Sequence, residues 1–204
     1  MRLFLLFLAS LAAVAQEPVH FAAQDGWVIY GDLYGRGARA VLLAPGGRFE
    51  KSSWGPLAKA LAEEGVQVLA IDLRGKGMSK DGPAEKRTDI ATTLDLLAAV
   101  RFLRGNGARQ VAVVGAGSSG NLVEEAIRVA QPGEIDRAVF LAHGAFGPPH
   151  LLKLPKLFVV ARNDLGAGNI PRLQRIQEQY DKAPDPKELL VLDGDAHAQY
   201  LLES

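Results

Sequence analysis

The 204-residue sequence contains no cysteine, no excess of charge of either sign and, beyond its first residues, no long apolar run. Without cysteine the chain can form neither disulfide bonds nor a lipid-modified cysteine anchor. Lysine and arginine together number 23, as do aspartate and glutamate, and the basic residues are scattered. Binding of nucleic acid needs a basic face, so the sequence argues against a nucleic-acid partner.

Hydrophobic residues make up 48% of the chain, enough for one globular domain with a sizeable core. The first residues differ from the rest: Met1 and Arg2 give a positive start, 3–14 are apolar, and 13–15 form a small-residue cleavage site. This pattern is typical of a secretory signal peptide, and the run is shorter than the about 20 residues that cross a bilayer. We predict a signal peptide at 1–15 and a domain at 16–204, secreted or periplasmic, without membrane contact after cleavage.

Short apolar runs alternate with longer amphipathic segments along the domain. A turn-forming dipeptide, Asp25-Gly26, separates the first two runs and predicts an antiparallel hairpin. The alternation that follows predicts an α/β fold, a mostly parallel central sheet with helices on both faces. The expected strands are 19–23, 27–34, 40–44, 66–71, 111–114, 137–142, 157–161 and 188–192, and the expected helices 54–64, 88–103, 122–130 and 170–180.

The run G-A-G-S-S-G at 115–120 joins a buried strand to a helical segment. A strand–turn–helix of this kind exposes one residue at the tip of a sheet, where small neighbours leave room for the strained backbone. Read literally, 116–120 matches G-x-S-x-G with alanine for the first glycine, and Ser118 is the exposed residue. A second register keeps both the strand and the Asn-Leu pair at 121–122 aligned with a turn of this kind without a gap. In that register Gly117 is the exposed residue. The sequence leaves both registers open.

Ligands of open α/β sheets bind outside the carboxyl ends of the strands. Four such ends in this chain are followed by chemically suggestive residues, namely the Gly46–Gly47 pair, Ser118, Asp164 and His197. The last three stand in the order serine, acid, histidine, with spacings of 46 and 33 residues that leave room for a strand and a helix each time.

Four segments in this order resemble the α/β-hydrolase superfamily, especially its lid-less esterases similar to dienelactone hydrolase. They are V-L-L-A-P-G-G at 41–47, D-L-R-G-K-G-M-S at 72–79, the strand that leads to Asp164, and D-G-D-A-H at 193–197. The resemblance covers nearly all of the domain and implies the α/β-hydrolase fold and a serine hydrolase of small carboxylic esters. Only 144–155 separate two successive strands, which leaves no room for a lid domain.

The resemblance also implies the roles of the site residues. His197 would take the proton of Ser118 and return it to the leaving group, while Asp164 orients and stabilises the imidazole. The oxyanion would be bound by backbone N–H groups of Gly46, Gly47 and Ser119, the last being the residue after Ser118. The sequence contains no metal-ligand cluster and no nucleotide loop, so we expect no cofactor and no metal, only a small-molecule ester as partner.

Some features depart from the family pattern. If Gly117 occupies the tip, the alternative is a non-catalytic relative that keeps the fold and the pocket for binding. Peptide or thioester cleavage stays open, whereas haloalkane cleavage is disfavoured because the turn holds no acidic residue. Pro45 replaces a common histidine, and the chain ends seven residues after His197, where the family adds a C-terminal helix. We therefore expect that helix to be missing.

Overall fold

The computed structural model describes residues 15–143 and 147–202, so the predicted signal peptide, apart from Ala15, lies outside the described residues. These residues form eight strands and four α-helices, and each lies within three residues of its predicted bounds. The strands are β1 (Gln16–Ala22), β2 (Val28–Tyr34), β3 (Arg39–Ala44), β4 (Gln67–Ile71), β5 (Gln110–Ala116), β6 (Arg137–Leu141), β7 (Lys156–Ala161) and β8 (Lys187–Leu192). The helices are α1 (Gly55–Glu63), α2 (Asp89–Gly105), α3 (Ser119–Val129) and α4 (Arg172–Lys182).

All eight strands belong to one sheet, in the order β1-β2-β4-β3-β5-β6-β7-β8. β1 pairs antiparallel with β2, and β2 antiparallel with β4, whereas the other neighbours are parallel. Gly26 forms the predicted hairpin turn with a φ of 85°, a conformation that glycine adopts without steric cost. The predicted fold class, a mostly parallel α/β sheet, is confirmed.

Helices cover both faces of the sheet because its parallel strands are apolar on both sides. On one face α2, α3 and α4 bury side chains such as Leu96, Val123 and Ile176. On the other face α1 and a 3-10 turn at Ala198–Leu202 bury Ala58 and Leu201. Each fully buried aliphatic side chain contributes about 1.5–3 kcal/mol to folding, so the two layers hold the strand ends in fixed relative positions. Among the described residues, no helix is long and apolar enough to cross a membrane.

The segment at 72–79 forms a loop that follows β4. Asp72 accepts the backbone N–H groups of Lys51 at 2.8 Å and Met78 at 2.9 Å. The buried Arg74 bonds to Asp95 on α2 and to Asp25 in the first hairpin. Asp72 and Arg74 therefore fix this loop to the residues around Lys51, to α2 and to the first hairpin.

Candidate active site

A histidine–aspartate pair lies at the carboxyl edge of the sheet, where the predicted site residues follow β7 and β8. His197 Nδ1 is 2.8 Å from Asp164 Oδ2, and Asp164 is buried. The other carboxylate oxygen accepts Arg172 Nε at 3.1 Å, and the Asp164 carbonyl accepts the Arg172 N–H at 2.9 Å. Asp164 is therefore held by the start of α4 while it orients His197. A proton on Nδ1 leaves Nε2 of His197 as the basic nitrogen.

The tip of the turn between β5 and α3 is Gly117. Its φ is 52°, the left-handed conformation of a nucleophile elbow, and its N–H donates to Leu141 O at 2.8 Å. A Cβ atom at this position would lie 3.4 Å from His197 Nε2. The backbone thus aims residue 117 at the histidine, but glycine supplies no side chain there.

Ser118 lies on the helical side of the turn. Its backbone is helical, with φ −62° and ψ −26°, and its Oγ lies 3.1 Å from where a Cβ of Gly47 would be. Across the part of the chain that the structure describes, Ser118 Oγ makes no hydrogen bond to His197. The turn therefore has the ungapped register, in which Gly117 holds the tip and Ser118 follows.

Three residues near the tip, Gly46, Gly47 and Ser118, line the same cleft and have backbone N–H groups of the kind that receives an oxyanion. In the ungapped register the residue after the tip is Ser118, so Ser118 takes the place in which Ser119 was predicted. Ser119 instead lies buried, and its hydroxyl donates to the Pro45 carbonyl. The N–H groups of Gly46, Gly47 and Ser118 donate no hydrogen bond within 15–143 and 147–202, and the Gly46 carbonyl accepts the Phe49 N–H at 2.9 Å.

Close packing explains why glycine flanks the tip on both sides. A Cβ on Gly115 would lie 2.7 Å from Val123 Cγ2 and 2.9 Å from Ser119 O. A Cβ on Gly120 would lie 2.0 Å from His143 Cγ. Since all three distances are shorter than real Cβ contacts, α3 approaches β5 and the His143 ring this closely only with glycine at 115 and 120.

His143 lies two residues after the end of β6 and belongs to the site, although sequence reasoning left it without a role. It is only 3% exposed, its Nδ1 lies 2.9 Å from Gly117 O, and its Nε2 lies 3.3 Å from Glu124 Oε1. The signal in the sequence is its place at a strand end, but its contacts depend on packing against Gly120.

The cleft in front of these groups has a volume of about 850 Å³. Gly47, Gly117, Ser118 and the two histidines, His143 and His197, are among the residues that line it. At the rim, Arg48 stacks against the rings of Phe49 and Tyr200, with its guanidinium 5.5 and 6.0 Å from their centroids. Among the described residues no group of three or more His, Asp or Glu side chains is arranged to hold a metal ion. The arrangement is suited to acting on a small carbonyl compound.

A sequence profile of the Alpha/beta hydrolase family matches residues 41–202, and the chain belongs to this family. Among solved structures, the esterase Pf2001 of Pyrococcus furiosus superposes with a TM-score of 0.75 at 19% identity, over 93% of this chain and 87% of that one. The α/β hydrolase GrgF of Penicillium sp. sh18 has a TM-score of 0.75 at 16% identity and 93% coverage of both chains.

A dienelactone hydrolase of Anabaena variabilis has a TM-score of 0.71 at 19% identity, covering 91% of this chain and 88% of that one. No curated protein sequence matches the chain significantly. At these identities the structural likeness establishes the fold and not the chemistry of the site.

Proposed function

We propose that the protein hydrolyses small carboxylic esters with water as the attacking nucleophile. His197 is the general base and Asp164 its orienting partner. The observation that carries this proposal is the position of His197 Nε2, 3.4 Å from where a Cβ of Gly117 would lie. The basic nitrogen faces space that a serine side chain fills in a serine hydrolase, and a water molecule there is within the hydrogen-bond reach that general-base catalysis needs.

The proposed reaction is a single displacement. The water oxygen bonds to the ester carbonyl carbon while His197 Nε2 takes one water proton, and Asp164 stabilises the resulting imidazolium. The negative charge that develops on the carbonyl oxygen is received by the N–H groups of Gly47 and Ser118. When the intermediate collapses, the ester C–O bond breaks and the imidazolium returns its proton to the alcohol. Ester and water thus become acid and alcohol.

An acyl-enzyme on Ser118, the prediction from the literal motif, would need the turn to rebuild so that Oγ reaches His197. Glycine residues make such turns pliable in principle. Here Gly115 is enclosed by Val123 and Gly120 by His143, which opposes a rebuilt turn. This packing favours water over Ser118 as the nucleophile.

The second candidate is a protein that binds a carbonyl ligand without turnover. The glycine at the tip favours it, because loss of the nucleophile removes most of the rate enhancement of a serine hydrolase. The water route retains only the contributions of the base, the oxyanion donors and substrate binding.

The test compares the wild type with His197→Ala, Ser118→Ala and the control His20→Ala on p-nitrophenyl acetate. We expect His197→Ala to lower kcat by about a hundredfold or more, the usual contribution of a general base. Ser118→Ala keeps its backbone N–H and should lower kcat less than threefold, and the exposed His20 on β1 should not matter. The wild type should show no burst and no adduct with a fluorophosphonate.

Each other result selects a different mechanism. Loss of activity in Ser118→Ala, together with an adduct located on Ser118 by peptide mass spectrometry, would establish the acyl-enzyme. Turnover no faster in the wild type than in His197→Ala would leave the binding role.

We also propose that the protein is exported, on the strength of the N-terminal pattern alone. Expression of the full chain in a bacterium, followed by fractionation and N-terminal sequencing, tests this. A periplasmic product that begins at Gln16 or Glu17 would support export, and a cytoplasmic product that retains Met1 would contradict it.

A further inference from the structure

A second histidine–carboxylate pair, His143 and Glu124, contacts Gly117, and the proposed reaction does not use it. His143 Nδ1 is 2.9 Å from the Gly117 carbonyl oxygen. A carbonyl can only accept, so Nδ1 carries the proton and donates it. On the far side of the ring, Nε2 lies 3.3 Å from Glu124 Oε1.

The position of this ring is fixed by its surroundings. It lies against the backbone of α3 at Gly120, where a Cβ would be 2.0 Å from its Cγ. Glu124, which is buried, is itself held by Gln179 Nε2 at 2.9 Å and by the Gly147 N–H at 3.2 Å. His143 therefore presents its Nδ1–H to Gly117 from a rigid support.

The Gly117 carbonyl and the Ser118 N–H belong to one peptide unit. In a planar trans peptide these two groups point in opposite directions. The carbonyl oxygen accepts from His143 Nδ1 and from the Gly120 N–H at 3.1 Å, so two donors fix the plane of this peptide. Glycine at 117 has no side chain to restrict the plane, and an external restraint is needed.

We infer that His143 is a positioning residue: by holding the Gly117 carbonyl, it aims the Ser118 N–H into the oxyanion site. This inference rests on the function proposed above. Oxyanion donors accelerate a reaction only when they are already oriented, and loss of one donor lowers kcat by about 10²–10³. A donor that is present but misdirected should lower kcat by a smaller factor than the loss of the donor does.

Two amide substitutions at His143 separate orientation from mere packing. Asparagine places an N–H where Nδ1 stands, whereas glutamine places one nearer Nε2 and cannot reach the Gly117 carbonyl. We expect His143→Gln to lower kcat for p-nitrophenyl acetate by about tenfold or more, short of the full loss of a donor, with KM within twofold. His143→Asn should recover most of the loss, and His20→Gln should behave as the wild type.

A second readout does not depend on activity. In protein labelled with [15N]serine, the Ser118 amide is identified by the signal that Ser118→Ala removes. Loss of the hydrogen bond to the carbonyl of the same peptide should shift this nitrogen upfield in His143→Gln but not in His143→Asn.

An unmoved Ser118 signal in folded His143→Gln, or equal loss of kcat in both amide variants, would overturn the inference. If the wild type hydrolyses no ester, the function proposed above fails, and the amide shift still decides whether His143 orients this peptide.

Discussion

At the scale of single residues, Gly117 decides which chemistry this site can perform. The backbone there keeps the left-handed φ of 52°, and the histidine still faces it. A side chain at this φ costs about 1–3 kcal/mol of strain, which serine hydrolases tolerate for the sake of a positioned nucleophile. The tip thus has the backbone geometry of a nucleophile elbow and no side chain, so residue 117 is the position to substitute.

We predict that Gly117→Ser creates a serine hydrolase. Its Cβ would lie 3.4 Å from His197 Nε2, which brings a hydroxyl one bond further out within hydrogen-bond reach. Fluorophosphonate should label residue 117, and a burst of p-nitrophenol should appear. Gly117→Ala is the matched control, since it carries the same backbone strain of about 1–3 kcal/mol without a hydroxyl. A folded Gly117→Ser protein that takes up no label would contradict the assignment of the tip.

Arg48 at the rim should set a preference for substrates with an acidic group. It is exposed, stacks on two aromatic rings and forms no ion pair in the described ranges. We predict that Arg48→Gln raises KM about threefold for an ester with a free carboxylate, since an exposed ion pair contributes about 0.2–1 kcal/mol. KM for the matching neutral ester should not change. Arg36→Gln, an equal change of charge before β3, serves as control, and equal effects from both variants would refute a local role.

At the scale of secondary structure, the sequence was sufficient for the elements and insufficient for one turn. The apolar periodicity predicted all eight strands and four helices, because burial on both faces of a parallel sheet leaves a strong pattern. Helix α3, however, begins at Ser119 and not at the predicted Leu122. This earlier start gives Ser118 a helical backbone and leaves Gly117 as the tip. Three small residues in a row carry no pattern from which that boundary can be read.

The role of His143 was beyond sequence reasoning for a similar reason, as it arises from the contact between the β6 end and α3. We predict that Gly120→Ala disrupts this contact, because its Cβ would lie 2.0 Å from His143 Cγ. The free energy of unfolding in urea should fall by about 1–3 kcal/mol, the usual cost of overpacking.

The matched control is Gly105→Ala at the end of α2, where a Cβ meets nothing within 4 Å. That change should leave the free energy of unfolding equal to that of the wild type or raise it by up to about 1 kcal/mol. Equal stability of the two variants would show that α3 can move away from His143.

At the scale of the whole molecule, the buried Arg74 connects three distant parts of the chain. Its guanidinium bonds to Asp95 on α2 at 2.6 Å and to Asp25 in the β1–β2 hairpin at 2.7 Å, and it also reaches the Lys86 carbonyl at 3.0 Å. Removing one partner of a buried ion pair leaves the other charge uncompensated. Because the β1–β2 hairpin cannot separate from α2 without breaking such a pair, we expect the edge of the sheet to unfold together with its centre.

This junction predicts how stability depends on pH. The hydrogen bond from Arg74 lowers the pKa of Asp25 below its usual value of 3.8. A carboxyl with a lowered folded-state pKa stabilises the protein above its unfolded pKa of about 4, and this stabilisation is lost as the pH falls through the folded value. Burial raises the pKa of Asp95 to about 6, which destabilises the folded protein at higher pH, and the nearby charge of Asp25 adds to this rise.

The wild type and Asp25→Asn are therefore compared at pH 5 and below, where Asp95 is mostly protonated in the folded wild type. We expect Asp25→Asn to be less stable than the wild type at pH 5 in urea denaturation, because it lacks the ion pair with Arg74. As the pH falls below about 4, the difference should shrink, because protonated Asp25 no longer attracts Arg74. Asp81→Asn removes an exposed carboxylate that has no ion pair in the described ranges, and it should show no such trend. A gap between the wild type and Asp25→Asn that stays constant down to pH 2.5 would mean that the Arg74 junction binds the hairpin through shape and not through charge.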